Sequence, residues 1–176
     1  MLNITSEDID RAIECLEKGG VIVFPTETSY GIGCDATNNE AVARVFLIKG
    51  RPDDKGTPVI VPDQDSACDY IEVNDQAHQL MDRYWPGPLN IIGPVKEGSP
   101  IVERCAHSET QAVRVSSHPF CATIARRFGK PIVASSANLS GKDAAYSISE
   151  VQQAFQERPD KPDCIIDGGY LPNLPP

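Results

Sequence analysis

Short apolar runs alternate with amphipathic segments along the whole chain, and this alternation constrains the fold more than any other feature. Residues 6–18 place apolar side chains at helical spacing, and Val21–Phe24 is a continuous apolar run that ends at Pro25. The first pattern is typical of an amphipathic helix, and the second is typical of a buried strand. Because strands and helices alternate in this way without repeats, we predict a single α/β domain with a mixed or mostly parallel sheet and helices packed on it.

The remaining elements follow from the same patterns and from the residues that begin or end them. Helices are predicted from Asn38 or Asn39 to Lys49, at 75–84, at 119–128, and from the Ser147-x-x-Glu150 capping box to about Phe155. Strands are predicted at 58–61, 89–92, 112–116, 131–135 and 164–166, and Pro25–Gly31 is predicted to be a loop. The domain is expected to cover residues 1–169, and residues 170–176, with three prolines and no periodicity, are expected to form an irregular tail.

Length, charge and cysteine pattern exclude several classes of protein. The chain has 176 residues, and no run approaches the ~20 apolar residues that a membrane span needs. The six cysteines form no C-x-x-C pair, and no signal segment is evident, so we expect a cytoplasmic protein with reduced thiols. The net charge of −9 repels nucleic acids and nucleotides, so an anionic substrate requires a local cationic cluster.

Three polar segments follow predicted strands or helices, where α/β proteins build their ligand clefts. None of them carries a dinucleotide-binding, P-loop, zinc-protease or serine-hydrolase fingerprint. The first is Thr26-Glu27-Thr28, whose hydroxyls and backbone N–H groups suit a small polar ligand, with Tyr30 as a stacking face. An ordinary capped turn is the alternative interpretation of this segment.

The second segment contains Lys49, Arg51 and Lys55, three cations in an otherwise acidic chain. A compact ammonium and a planar guanidinium suit the oxygens of a polyphosphate. A solvated helix end, stabilised by the helix dipole, explains the same residues equally simply.

The third segment, Ser135–Asn138 followed by Ser140 and Gly141, comes directly after a predicted strand. Its small hydroxyl and amide side chains suit a nucleotide or an anion nest, and structural turn chemistry is the alternative. Arg114 lies among apolar neighbours in the strand at 112–116, and strand alternation leaves open whether it points into a cleft or to solvent.

Five motifs occur in a fixed order: P-T-E-T-x-Y-G, K-G-R-P-x-D-K-G, W-P-G-P-L, A-V-R-V and S-S-A-N-x-S-G. This series resembles the YrdC/TsaC family of threonylcarbamoyl-AMP synthases from about Ala12 to Gly169. The resemblance implies an open, twisted α/β sheet with a concave, locally positive cleft. It also implies synthesis of threonylcarbamoyl-AMP from L-threonine, bicarbonate or CO2, and ATP, with release of pyrophosphate, for threonylcarbamoyladenosine modification of tRNA.

The resemblance also assigns residues by motif match. Threonine or its carbamate is expected near Thr28, Arg114 and Ser136, and ATP is expected near Lys49, Arg51, Lys55 and Asn138. No side-chain nucleophile is required, because the protein only aligns two anions and neutralises the charge of departing pyrophosphate. Mg2+ is expected to bridge the phosphates, with Glu27 or Asp35 orienting its waters. The expected downstream partner is a tRNA threonylcarbamoyl transferase complex, with weak tRNA binding at most and no membrane association.

The chain departs from the family pattern at two points. Many relatives have Asn and a later His after K-x-R, where this chain has Lys55 and Ile60, as in the shorter bacterial branch, and one threonine contact is thereby removed. Relatives also continue past the Gly168-Gly169 pair with a polar segment and a basic tail, so we expect a trimmed tail or a different nucleotide site.

Two other functions remain open at this point. One is an RNA-binding or ribosome-assembly module without catalysis, whose electrostatic footprint would be weak in so acidic a chain. The other is an enzyme that forms a carbamoyl adenylate with a different amine acceptor.

Overall fold

Two four-stranded mixed sheets and six α-helices make up residues 4–172, the part of the chain that the computed structural model describes. The helices are α1 (Ser6–Glu17), α2 (Asn39–Lys49), α3 (Gln64–Cys68), α4 (Asp75–Tyr84), α5 (Pro119–Phe128) and α6 (Ile148–Phe155). The strands are β1 (Ile22–Pro25), β2 (Tyr30–Gly33), β3 (Val59–Ile60), β4 (Ile91–Pro94), β5 (Thr110–Arg114), β6 (Ile132–Val133), β7 (Ser135–Ser136) and β8 (Cys164–Ile165).

The sheets have the orders β7-β2-β1-β8 and β4-β5-β3-β6. Only the β1–β8 and β3–β5 pairings are parallel in the described range, so the predicted α/β class and mixed sheet are confirmed, while the sheet is not mostly parallel. The predicted strand at 131–135 is divided at Ala134: its first part pairs with β3 and its second part pairs with β2. The chain thus passes from one sheet to the other within a few residues.

The two sheets come into close contact at Gly33. The backbone N–H of Val133 donates to the carbonyl of Cys34 at 2.9 Å. A Cβ atom at Gly33 would lie 1.7 Å from the carbonyl oxygen of Val133, far inside van der Waals contact. The absence of a side chain at Gly33 is therefore what lets the two sheets meet.

The segment Pro25–Gly31, predicted to be a loop, is in fact a tight hairpin. Pro25 pairs with Tyr30, and only Thr26–Ser29 form the turn. The strand β2 escaped prediction because two of its four residues are glycine, which is depleted in strands. Pairing with β1 on one side and β7 on the other supplies the order that local propensity does not.

Apolar side chains pack on both faces of the first sheet. Ile22 and Phe24 of β1 join a cluster with α1 and α5, whereas Val23 joins a second cluster with α2. This alternation follows from the two-residue period of a strand. The helices α1, α2, α4 and α5 have essentially their predicted bounds, and α6 begins after the predicted cap Ser147, whereas the short helix α3 was not predicted.

The C-terminal segment is described only to Pro172. Leu171 is buried, and its N–H donates to the carbonyl of Tyr146 at 2.8 Å, so the start of the predicted tail packs on the domain. Residues 173–176 of that tail lie outside the described range. The six cysteines are free thiols. None of the helices between Ile4 and Pro172 has the length and apolarity needed to cross a membrane.

Candidate active site

Glu27 and Arg114 join the turn between β1 and β2 to the end of β5. Arg114 is the last residue of β5 and is only 8% exposed. Its Nη1 lies 3.5 Å from Oε1 of Glu27, farther than in a normal hydrogen bond. The carboxylate supplies the counter-charge that a buried guanidinium requires. Arg114 therefore points away from bulk solvent, which its strand pattern alone left open.

The guanidinium of Arg114 keeps its hydrogen-bonding capacity. Within residues 4–172, the contact with Glu27 is its only polar side-chain contact. A guanidinium carries five N–H donors in a planar fork, and among the described residues no Arg114 nitrogen is both fully buried and unpaired, so these donors stay accessible to a ligand. Such a group is prepared to bind a carboxylate or a phosphate, because the ligand would satisfy the donors.

Glu27 is held in place by the residues that follow β5. The hydroxyl of Ser116 donates to Oε2 of Glu27 and accepts the backbone N–H of His118 at 3.2 Å. His118 caps α5, because its Nδ1 accepts the N–H of Phe120, and burial lowers the pKa of its imidazole. One carboxylate oxygen is thus fixed, and the other, Oε1, is buried beside Arg114 and accepts no hydrogen bond from the described part of the chain, residues 4–172.

Ser116 and His118 are residues of this site that sequence reasoning did not identify. A signal for them exists: Ser-x-His-Pro directly after a strand places the proline in the first turn of α5, so the residues just before it are capping candidates. An arginine inside an apolar strand also signals that an acidic partner must lie nearby.

The turn at 26–29 is organised by the hydroxyl of Thr26. Its Oγ1 donates to the carbonyl of Ser29 at 2.7 Å and accepts the N–H of Thr28 at 3.2 Å. The hydroxyl of Thr28 lies 3.1 Å from the same atom, and its side chain is half-buried. Thr28 is therefore fixed beside Glu27 on the turn that faces Arg114.

Lys49 ties the end of α2 to the segment that follows β6. Its residue is 2% exposed, and its ammonium donates to the carbonyls of Ser136 and Asn138, the latter at 2.9 Å. The N–H of Ser140 returns a hydrogen bond to the carbonyl of Lys49 at 2.9 Å. Burial, together with the positive charge of Arg51, lowers the pKa of Lys49 to about 7. The solvated helix end weighed as an alternative is thus wrong for this residue.

Ser136 and Asn138 differ in exposure and in the hydrogen bonds of their side chains. Ser136 is exposed on β7, an edge strand. The amide nitrogen of Asn138 donates to the carbonyls of Leu139 at 3.0 Å and Lys142 at 2.6 Å, which closes the loop on itself. Its Oδ1 is buried and accepts no hydrogen bond within residues 4–172.

Arg51 and Lys55 face a different part of the molecule. The guanidinium of Arg51 donates to the carbonyls of Lys55, at 3.0 Å, and Gly56, and burial lowers its pKa. The side chain of Lys55 is exposed. Both residues line a cavity of about 330 Å³ beside β4 and β5. The three cations of the sequence motif are thus divided between two places.

Direct contacts connect most of the candidate segments. Lys49 links α2 to Ser136 and Asn138, the pairing of β2 with β7 links that segment to the hairpin, and Glu27 links the hairpin to Arg114. The hydrogen bonds of the Arg51 side chain stay within its own loop. The structure therefore presents one contiguous polar region and one adjoining cationic cavity.

Tyr30 does not offer the stacking face that was expected. It is completely buried, and its hydroxyl accepts the N–H of Gly168 at 2.9 Å and donates to the carbonyl of Gly169 at 2.7 Å. Burial raises its pKa to about 12. As the first residue of β2 it points into the core, where it anchors the segment after β8.

Glu27 and Asp35, the two carboxylates expected to orient magnesium-bound waters, both already have partners in the protein. Oδ1 of Asp35 accepts from the N–H and hydroxyl of Thr37, and Oδ2 accepts from Lys130 at 2.8 Å. Glu27 is engaged by Ser116 and faces Arg114. Across residues 4–172, there is no group of three or more His, Cys, Asp or Glu side chains that could hold a metal ion.

A larger groove of about 1040 Å³ borders the cavity lined by Arg51 and Lys55, and His107 lines both. Four acidic side chains, Asp53, Asp54, Glu103 and Glu109, contribute to its lining. An acidic groove repels a polyphosphate, so its size does not make it the better candidate for a nucleotide.

Comparison with known proteins identifies a family. The model of the Sua5/YciO/YrdC family, described as "Telomere recombination", matches residues 14–175. The threonylcarbamoyl-AMP synthase of Pseudoalteromonas translucida is 38% identical over 156 residues, which are 85% of this chain and 81% of that protein. The threonylcarbamoyl-AMP synthase of Xanthomonas campestris is 37% identical over 165 residues, 92% of this chain and 86% of that protein.

A solved structure shares both fold and sequence with this chain. Sua5 of P. abyssi, crystallised in complex with L-threonine, is 32% identical and superposes with a TM-score of 0.88. The match covers 97% of this chain but only 49% of Sua5, so the chain spans about half of that protein. With the family model covering nearly the whole sequence, the chain belongs to the Sua5/YciO/YrdC family.

Proposed function

We propose that this protein is an enzyme that makes threonylcarbamoyl-AMP from L-threonine, bicarbonate or CO2, and ATP, and that releases pyrophosphate. The curated relatives are named after this activity, and the match to this chain covers most of their length. The observation in this structure that carries the proposal is Arg114, a residue that is 8% exposed and whose guanidinium has no hydrogen-bond acceptor among residues 4–172. An anionic substrate would complete this site.

The threonine end of the site lies around Arg114. We assign the fork of Arg114 to the carboxylate of threonine or to its carbamate, since both are planar anions with two oxygens. The hydroxyl of Thr28 and the exposed Ser136 supply neutral hydrogen bonds beside it. Neutral donors position a small substrate without adding charge to an already acidic protein.

The ATP end uses the remaining candidates. Lys49 holds the loop that carries Asn138, and Arg51 with Lys55 contributes positive charge at the adjoining cavity. We assign these four residues to ATP: Arg51 and Lys55 face phosphate oxygens, and Lys49 acts by holding the loop that carries Asn138. Asn138 keeps one unmatched amide oxygen, which suits a donor on the nucleotide.

The chemistry needs alignment more than side-chain reactivity. The amine nitrogen of threonine forms a bond to the carbon of CO2 and loses its proton, which gives a carbamate. A carbamate oxygen then bonds to the α-phosphorus of ATP, and the bond to the β-phosphate oxygen breaks, so pyrophosphate leaves with that electron pair. Fixed cations beside the phosphates stabilise the charge that develops on the leaving group, at no reorganisation cost.

Several further assignments belong to the same proposal. Mg2+ enters with ATP, because phosphate oxygens and water are the ligands it prefers. Glu27 and Asp35 are already paired, so direct coordination of the ion is left to the phosphates and water. The product passes to a tRNA threonylcarbamoyl transferase complex in the cytoplasm. Residues 1–169 act as the catalytic domain, and residues 170–176 form its tail.

The test is pyrophosphate release from ATP and bicarbonate, measured with and without L-threonine. We expect release that depends on threonine and that falls sharply when alanine replaces it. Equal release without threonine contradicts the proposal. Faster release with another amino acid retains carbamoyl-adenylate chemistry but assigns it to a different amine.

A further inference from the structure

Two cysteines from distant parts of the sequence line one pocket, of about 410 Å³, beside the C-terminal end of α1. Cys15 lies on α1 and is half-buried, and Cys164 is the first residue of β8 and is 8% exposed. The chemistry assigned to threonine, CO2 and ATP uses neither residue. The pair therefore needs an explanation of its own.

Strand alternation turns Cys164 toward α1. Cys164 pairs with Ile22 of β1, and both side chains pack with residues of α1. The next residue, Ile165, packs with the cluster on the opposite face of the sheet. Cys15 packs against the same cluster as Cys164. Both thiols therefore lie on the face of the first sheet that α1 covers.

The two cysteines also converge on one backbone carbonyl. The thiol of Cys15 lies 3.9 Å from the carbonyl oxygen of Val21, and the N–H of Cys164 donates to the same oxygen at 3.3 Å. A Cβ atom at Gly20 would lie 2.5 Å from the sulfur of Cys15, so glycine at this position leaves the sulfur uncovered. A disulfide joins cysteines whose Cα atoms are about 4–7 Å apart, and a shared contact atom is the proximity that this geometry needs.

Burial keeps both thiols protonated at neutral pH. Burial, together with the neighbouring Cys164 and Asp163, raises the pKa of Cys15 to about 11, and burial also raises the pKa of Cys164. The thiolate is the nucleophile in thiol–disulfide exchange, so the exchange is slow at pH 7 and accelerates as the pH rises. Residues 4–172 contain no group of three or more His, Cys, Asp or Glu side chains suited to a metal ion, so the pair does not form a zinc site.

The charges around this pocket are largely balanced. The ion pairs formed by its cations are Arg11 with Asp8, Lys18 with Glu14, and Arg44 with Asp160 and Asp163. The volume of the pocket lies within the range of ligand pockets. A small-molecule disulfide can therefore enter without strong repulsion.

We propose that Cys15 and Cys164 form a dithiol site, which exchanges with low-molecular-weight disulfides and closes into a disulfide between α1 and β8. Cys15, the more exposed thiol, loses its proton, and its sulfur bonds to one sulfur of the small disulfide, whose S–S bond breaks and releases a thiolate. Cys164 then loses its proton, its sulfur bonds to that of Cys15, and the second small thiolate leaves. The protein thiols are oxidised, and the small disulfide is reduced to two thiols that take up the two protons.

The experiment treats the full chain with oxidised glutathione at about pH 8.5, where more thiolate is present than at neutral pH. It uses a Cys68→Ser background, because Cys68 is also half-buried and would capture glutathione by itself. We expect the intact mass to fall by two hydrogen atoms without bound glutathione, and a digest to contain Cys15 linked to Cys164. The melting temperature should rise by about 5–15 °C, because the link closes a loop that spans most of the chain, and dithiothreitol should reverse both changes.

Cys15→Ser and Cys164→Ser, each in the same background, are the matched controls. Neither can close the link, so neither should lose two hydrogen atoms or melt at a higher temperature after the treatment. Cys34→Ser, which changes a completely buried thiol outside the pocket, should still form the link. A loss of two hydrogen atoms that persists in Cys164→Ser overturns the proposal. Bound glutathione without an internal link in the background protein does so as well, and so does a link that leaves the melting temperature unchanged.

Discussion

At the scale of single residues, Arg114 shows how a charge can be buried and still be available to a ligand. Its counter-charge on Glu27 lies 3.5 Å away, close enough to offset the cost of burial and too far to consume the N–H donors. Ser116 holds that carboxylate from the other side. The arrangement fixes the guanidinium before substrate arrives, so little ordering is left for the binding step.

The first prediction concerns the shape of the Arg114 side chain. Arg114→Lys keeps the charge opposite Glu27 but loses the planar fork, so threonine binding should weaken by about 1–3 kcal/mol. Titration calorimetry with L-threonine measures the change. Arg126→Lys, at an exposed position on α5, is the control and should bind threonine as the wild type does. Unchanged affinity in Arg114→Lys would argue that the fork does not meet the substrate.

A second prediction uses the lowered pKa of Lys49. Burial lowers that pKa to about 7, whereas the unfolded chain has the ordinary value of 10.5. Between these values the unfolded state binds one more proton than the native state, so the free energy of unfolding rises with pH. Relative to Lys49→Met, the wild type should gain about 1 kcal/mol between about pH 7.5 and about pH 8.5.

Urea unfolding of both proteins at several pH values measures this difference. Cysteine and tyrosine ionisation is common to both proteins and cancels in the comparison. A difference that stays flat with pH would show that Lys49 has an ordinary pKa, and that its ammonium remains charged throughout.

At the scale of elements, the passage of the chain from one sheet to the other decides where the site forms. β6 and β7 are separated by Ala134 alone, and the motif Ser135–Asn138 emerges at this crossing. Gly33 permits the crossing, because any Cβ atom there would meet the carbonyl of Val133. The position of Ser136 and of the loop held by Lys49 is therefore a consequence of how the sheets meet.

The third prediction follows from that contact. Gly33→Ala should destabilise the protein by at least roughly 3 kcal/mol, because the clash is with backbone and has no flexible atom to relieve it. Gly31→Ala, in the same strand, meets only side-chain atoms of Phe24 and Thr26 at 3.3 Å and should cost about 1 kcal/mol. Urea denaturation measures the free energy of unfolding of both variants. Equal losses in the two variants would contradict the role given to Gly33 at the crossing.

Elements with strong local signals could be predicted, and elements that depend on distant partners could not. α5 runs from Pro119 to Phe128 as expected, because a proline begins it and Gly129 ends it. β2 was missed because its order comes from two neighbouring strands, not from its own residues. The sequence motifs predicted segments that the structure largely brings into contact, but the burial of Lys49 against two carbonyls depends on a loop that folds over it from 87 residues away.

At the scale of the whole molecule, the net charge favours an enzyme that binds a nucleotide over a protein that binds RNA. The chain carries 25 acidic and 16 basic side chains. The contiguous region around Arg114 and the cavity beside Arg51 are small cationic places in an acidic surface. Such places can hold one triphosphate, whereas RNA binding relies on many phosphate contacts.

The fourth prediction is that the protein binds tRNA only weakly and that ATP displaces the bound tRNA. An RNA-binding module would lose affinity steeply with salt, with a slope near −0.7 per neutralised phosphate on single strands. We expect a shallow slope and no submicromolar affinity in fluorescence anisotropy at physiological salt. Tight tRNA binding that saturating ATP leaves intact would favour an RNA-binding module and would place its site away from Arg51 and Lys55, toward Arg126, Arg127 and Lys130.

Threonylcarbamoyl-AMP synthesis is tested most directly by the mass of the product formed from ATP, L-threonine and carbon-13 bicarbonate. We expect one new adenylate whose mass equals that of threonylcarbamoyl-AMP with a single labelled carbon, and whose formation stops when either threonine or bicarbonate is withheld. An adenylate without the label, or the same product spectrum in the absence of threonine, would contradict it.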